Sequence, residues 1–158
     1  MTAALQLLVG LPGAGKTTLA RELETRHAAL RLTPDEWMLP LFGAGEFQGK
    51  RAVLEHDLLW SVARRALVLG VSVVLDYGVW SREEREMYRL RACGLGVATV
   101  LHVLDLPLDD LWLRLQARNA NLPSGTFPIT RTELEQWSGW FERPTPEERA
   151  LFSSPDAV

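Results

Sequence analysis

A chain of 158 residues that is 47% apolar and 23% charged reads most simply as one globular domain over residues 1–158, with a real core and no room for a large appendage. Its net charge of −3 gives no general attraction to nucleic acid or an anionic membrane, and its single cysteine, Cys93, excludes an internal disulfide or a cysteine-built metal cluster. No apolar run approaches membrane-spanning length, and Met1-Thr2-Ala3-Ala4 passes straight into the first strand without a charged leader, so a cytoplasmic protein with no membrane partner is expected.

The first strand is Leu5-Gln6-Leu7-Leu8-Val9, apolar enough to be buried in a parallel sheet. Gly10-Leu11-Pro12-Gly13-Ala14-Gly15-Lys16-Thr17 follows, fitting G-x-x-x-x-G-K-[ST] without a mismatch, and Thr18 to Glu24 continues at helical period. Strand, glycine turn and helix together make an anion cradle, because successive backbone N–H groups turn inward at a helix N-terminus that carries partial positive charge. Lys16 can reach the β- and γ-phosphates of a nucleotide, and the Thr17 hydroxyl can ligate Mg²⁺. The nucleotide contacts expected here are Gly10, Pro12, Gly13, Ala14, Gly15, Lys16, Thr17 and Thr18.

Ala28 to Leu32 reads as a short strand. Thr33-Pro34-Asp35-Glu36 follows as a helix start, with Thr33 as N-cap, Pro34 first in the helix and Glu36 closing a capping box. Leu39 to Gly49, with three glycines, reads as a mobile loop. A longer helix then runs from Lys50 to Leu69, its apolar stripe made of Leu54, Leu58, Val62, Ala66 and Leu69 and widened by Leu59, Ala63 and Leu67. Val71 to Leu75 is a buried strand ending in Asp76, and Ser81-Arg82-Glu83-Glu84 opens a helix that reaches about Cys93.

Val97 to Leu104 is a fourth strand. Pro107 to Ala120 is helical, with Leu108, Leu111, Trp112 and Leu115 inward and Arg114 and Arg118 four residues apart. Pro123, Gly125 and Pro128 break the pattern between Asn119 and Ile129, a helix runs from about Thr132 to Trp140, and Thr145-Pro146-Glu147-Glu148 starts another. Ala150-Leu151-Phe152 is the short remaining candidate for a fifth strand.

Strands alternating with helices predict an α/β fold, a parallel sheet covered by helices on both faces. Ligands of such sheets lie at the carboxyl ends of the strands, where the phosphate loop, Asp35 and Asp76 all fall. His27, His56 and His102 share no metal-ligand spacing, so a zinc site is not expected. Trp37 and Trp80 stand just past strand ends, where each either packs in the core or walls an acceptor pocket. No guanine-recognition motif is visible, so ATP is the expected nucleotide.

With these residues placed, the chain resembles the small P-loop kinases often labelled AAA-type ATP-binding kinases, a group similar to phage polynucleotide kinase, zeta toxins, chloramphenicol phosphotransferase and gluconate kinase. The resemblance rests on Gly10 to Thr17, the Asp35 segment, Asp76 at a strand end, and Leu113 to Arg118 with the breaker-rich segment beyond; Trp140 to Glu148 adds a weaker match. It implies a five-stranded sheet in the order 2-3-1-4-5, a helical lid over about 119–131, and ATP with Mg²⁺ as donor. Asp35 is then the base that takes the proton of a substrate hydroxyl, and Asp76 holds Mg²⁺ and faces the substrate. Arg131 stands at the far end of the lid and is counted with Trp37 and Trp80 as a candidate for the substrate side. Arg114 and Arg118 stand at the lid's base, where Arg118 neutralises charge in the transferring phosphoryl group or lies on the adenine ring.

Two positions depart from the group's pattern. Met38 stands where polynucleotide kinases carry an arginine, and Tyr77-Gly78 replaces the usual pair after the strand-end aspartate. The expected activity is phosphoryl transfer to a hydroxyl of a small molecule. The alternatives are a 5′-hydroxyl polynucleotide kinase, disfavoured by charge and Met38, and a regulatory module that binds nucleotide without transferring phosphate.

Overall fold

Strand β1, Ala4–Val9, is buried at all six positions and forms the centre of a parallel sheet. The computed structural model describes residues 2–155; Met1, the first residue of the expected leaderless start, and residues 156–158 of the expected domain lie outside them. After β1 come α1 (Lys16–His27), β2 (Leu30–Leu32), α2 (Asp35–Phe42) and α3 (Lys50–Val53). A π-helical segment, Leu54–Leu59, joins α3 to α4 (Trp60–Val68), and β3 (Val73–Gly78) and α5 (Arg82–Cys93) follow. The chain continues with β4 (Ala98–Val103), α6 (Leu108–Ala120), α7 (Arg131–Trp140) and α8 (Pro146–Arg149).

The sheet order is β2-β3-β1-β4, with all pairs parallel. Pleating sends Leu5, Leu7, Val73, Leu75 and Tyr77 to the face covered by Leu59, Ala63, Tyr88, Leu111 and Leu115. Leu8 and Val74 go to the other face, against Ala20 and Leu23 of α1. Among the described residues no helix is long and apolar enough to cross a membrane.

The architecture follows the sequence expectation except at a few points, each with a local cause. The expected fifth strand is absent among the described residues: Ala150-Leu151-Phe152 turns after α8, and only Ser153 bridges Val100 in parallel. Two residues later Pro155 brings a position with no N–H to donate. α2 carries on through Pro40 to Phe42, so the loop begins at Gly43 rather than Leu39. Thr33 does not cap α2; its hydroxyl donates to Asp76 Oδ2 at 3.1 Å, and Glu36 pairs with Arg31 at 2.8 Å instead of closing a capping box. The expected capping residues Ser81 and Thr145 do accept from the backbone N–H groups of Glu84 and Glu148.

The apolar stripe of the long helix is the fourth correction. Leu58, Val62 and Leu69 are exposed, whereas Leu54, Leu59, Ala63, Ala66 and Leu67 are buried. The π turn widens the spacing of facing residues from four to five, so Leu59 takes the inward place after Leu54 and everything downstream is rotated.

Beyond β3 the chain is held under strain. β1 residues Leu7 and Val9 pair with Leu75 and Gly78, so β3 carries an extra residue opposite the Leu8 step, a bulge at Asp76-Tyr77. Val79 then sits at φ 36°, a costly left-handed conformation for a β-branched residue. Buried Arg85 donates to the carbonyls of Val79 and Trp80 at 3.0 Å each and forms a bidentate pair with buried Glu148, Nε to Oε1 at 2.6 Å and Nη2 to Oε2 at 3.0 Å. Removing one partner strands a charge away from water. Glu148→Ala is therefore expected to lower unfolding stability by about 3–5 kcal/mol in urea titrations, and Arg85→Met with Glu148→Leu to recover most of that loss.

Candidate active site

Gly10 opens the phosphate loop where the sheet leaves no space for a side chain. A methyl group at Gly10 would lie 2.7 Å from the carbonyl oxygen of Leu104. At the far end Gly15, at φ 96°, supplies the left-handed turn into α1. Gly10 N donates to Gly78 O at 3.2 Å, and the Trp80 indole donates to Gly10 O at 3.1 Å, so the loop's first residue is fastened to the end of β3. Pro12, Gly13 and Ala14 complete the turn, and Thr18 is exposed in the first turn of α1.

Lys16 folds back and donates from Nζ to Leu11 O at 3.0 Å. Burial lowers its pKa from the ordinary 10.5 to about 8, against the raising fields of Asp76 and Asp35; Arg118 and Arg51 lower it further. These groups thus share one electrostatic neighbourhood. Thr17 donates to Asp76 Oδ2 at 2.8 Å, and burial raises the Asp76 pKa against the bonds from Thr17 and Thr33. A hydroxyl and a carboxylate side by side are hard oxygen donors, a set that fits Mg²⁺.

Asp35 begins α2, and its Oδ1 accepts from Arg51 Nη1 at 2.6 Å. Arg51 also donates from Nε to Glu55 Oε1 at 2.9 Å and from Nη1 to Gly45 O at 2.9 Å, tying Asp35, the glycine loop and the π segment together. Glu55 is buried, and desolvation pushes its pKa up to about 7 although Arg51 opposes the shift. Arg51 and Glu55 escaped the sequence reading. Their i, i+4 acid–base spacing directly after the glycine loop is the signal that could have found them.

Arg118 lies on the last turns of α6 and donates from Nη2 to Phe127 O at 3.1 Å, while its buried Nε has no partner among the described residues. Burial lowers its pKa, opposed by the Asp35 carboxylate, which places Arg118 within the field of the same site. Arg114 is exposed, with Nη1 3.9 Å from where a side chain on Gly15 would begin.

Arg131, Trp80 and Trp37, expected on the acceptor side, make the following contacts. Arg131 is tied to Asp109 at 2.9 Å and Glu135 at 2.7 Å. Trp80 spends its N–H on Gly10 and packs on Trp137 with centroids 5.8 Å apart, so it supports the loop from the core side. Trp37 is 43% exposed, while the neighbouring Met38 is fully buried; the cations at that turn are Arg51 on Asp35 and Arg31 on Glu36.

A family model described as AAA domain matches residues 5–144, and the chain belongs to that family. Solved structures with the same fold include Kti12 of Chaetomium thermophilum in complex with ADP-AlF3, at 20% identity and a TM-score of 0.72 over 94% of this chain and 85% of that one. A chain of the Pnkp1/Rnl/Hen1 RNA repair complex matches at 22% and 0.76 over 96% of this chain, which spans only 47% of that longer one. A gluconokinase from Sinorhizobium meliloti 1021 matches at 20% and 0.59 over 94% of this chain and 80% of that one. The fold is that of the small P-loop kinases.

The depressed lysine gives a direct check on this geometry. Lys16 and Lys50 are the two lysines of the sequence, so the lysine ¹³Cε signals of labelled protein can be assigned and titrated. A midpoint near 8 is expected for Lys16, and one at the ordinary 10.5 would contradict its burial beside the loop.

Proposed function

Taking that membership as the premise, we propose that the protein is a phosphotransferase that moves the γ-phosphate of ATP to a hydroxyl of a small molecule. The observation that carries this reading is Asp35: a carboxylate held by Arg51 at 2.6 Å, in the field of Lys16, on the acceptor side of a phosphate loop. A loop that only bound nucleotide would have no use for an oriented carboxylate there.

The roles follow from the chemistry of each group. Backbone N–H groups of Gly13, Gly15, Lys16 and Thr17 and the ammonium of Lys16 hold the phosphates. Thr17 and Asp76 would hold Mg²⁺, which supplies charge neutralisation across the β- and γ-phosphates when bound. Asp35 orients the acceptor alcohol and takes its proton as the new O–P bond forms, and the bond from the γ-phosphorus to the ADP oxygen breaks. The guanidinium of Arg51, bonded to Asp35 Oδ1, fixes which carboxylate oxygen is left to face the acceptor. Arg118, at the base of a lid over about 119–131, brings positive charge to the equatorial oxygens and helps exclude the water that would hydrolyse ATP. Its buried, unpartnered Nε supports this role, since such a donor is costly until a ligand fills it. Buried Met38 and the net charge of −3 weigh against a nucleic-acid 5′ end as acceptor.

Asp35→Asn is expected to reduce the turnover of transfer by roughly 10²–10⁴-fold while Mg²⁺–ATP still binds with about the wild-type Kd. Acceptor-dependent ADP release over alcohols, nucleosides and antibiotics, with calorimetry for nucleotide binding, checks both halves. Unchanged turnover in Asp35→Asn would favour a binding module instead.

A further inference from the structure

The residue after Asp76 points to the other face of the sheet and carries a phenol with nothing to bond. Tyr77 is 9% exposed, and its hydroxyl has no hydrogen-bond partner among the described residues. A buried hydroxyl left open is costly, so a site that keeps one is built to have it filled. The Tyr77 ring stands edge-on to Tyr88 at 5.9 Å, and the Tyr88 hydroxyl donates to the backbone carbonyl of Glu55 at 3.3 Å. Ligand atoms of Glu55, His56 and Glu84 lie within 4.8 Å of one another in the same place, with His56 Nε2 3.3 Å from Glu84 Oε1. Burial first, then Tyr88 and the fields of Glu55 and Glu84, push the Tyr77 pKa far up, so the hydroxyl keeps its proton in the field of both carboxylates. Glu55 and His56 belong to the π turn, a departure from α-helix that frequently marks functional positions.

We propose that Glu55, Glu84 and Tyr77 form an acceptor subsite that receives the ammonium group of an amino alcohol. The proposal rests on the kinase reading above and names the class of molecule phosphorylated. An ammonium has three N–H donors and no acceptor, and Glu55, Glu84 and Tyr77 offer two carboxylates and a phenol oxygen. The same two carboxylates repel an anionic acceptor. A divalent metal is poorly served at Glu55, because Arg51 already occupies its Oε1. Position adds the decisive link: the guanidinium that touches Glu55 also touches Asp35, so one side chain separates the ammonium subsite from the base. A compact amino alcohol, with amine and hydroxyl on one ring or short chain, spans the two.

The test is kcat/KM for Mg²⁺–ATP-dependent phosphorylation over a panel of cyclic and short-chain amino alcohols, each paired with its deaminated and its carboxylated analogue. Wild type is expected to prefer the amino member at least about tenfold, mainly through KM. Glu84→Gln and Tyr77→Phe are expected to bring that preference close to parity. Glu84 is partly exposed, so its variant keeps the test alive if Glu55→Gln fails to fold. Preference for the deaminated or carboxylated members, or full preference surviving in both variants, overturns the inference and leaves the kinase reading intact. If no member of any class accepts phosphate while Mg²⁺–ATP binds, both fall together.

Discussion

Asp76 is the joint on which the site is built. Its carboxylate accepts from Thr17 at 2.8 Å and from Thr33 at 3.1 Å, so one side chain of β3 ties the phosphate loop on one side to the start of the Asp35 helix on the other. That explains why Thr33 gives up the N-cap role for which its residue type is suited. The cap is worth roughly 1 kcal/mol, whereas an unpaired buried carboxylate costs more, so the hydroxyl goes to Asp76. Asp76 reaches both partners because β3 bulges at this point, and the strain that follows at Val79 is contained by Arg85 and Glu148. A surface-remote ion pair and a strand irregularity thereby help position the phosphate loop and Asp35.

Local chemistry was legible in the sequence and long-range pairing was not. Gly10 to Thr17 declares itself because every determinant of a phosphate loop lies within eight consecutive residues, and the parallel sheet follows from the alternation of apolar runs with amphipathic ones. The helix of residues 50–68 was legible as a helix but not in phase, since a π turn has no distinct residue signature and shifts which leucines face inward. Trp80 stood past a strand end, as a pocket residue would. Only the fold shows that its N–H is used by Gly10. The missing fifth strand was foreshadowed by the shortness of Ala150-Leu151-Phe152, and Arg51 went unseen because its partner Asp35 lies sixteen residues earlier.

Charge divides the site into two halves of opposite character. Lys16, Arg114 and Arg118 gather around the phosphate loop, where a triphosphate supplies the counter-charge. Around Arg51 lie the carboxylates of Asp35 and Glu55, with Glu84 near Glu55 and the Arg91 guanidinium over Tyr88. Burial lowers the Lys16 pKa to about 8 and raises that of Glu55 to about 7, the cost of desolvating charge in each half. A polyanionic donor and a cationic acceptor would each relieve the half they enter, which is a physical reason for one small fold to bind two such unlike molecules side by side.

The most direct measurement of the central claim is the fate of the γ-phosphate, followed by ³¹P NMR in a complete reaction with Mg²⁺–ATP and an acceptor. A site with an oriented base and a closing lid predicts a new phosphate-ester resonance growing in step with ADP, with little inorganic phosphate. Inorganic phosphate as the sole product, or ATP bound and left unconsumed with every acceptor, would contradict it.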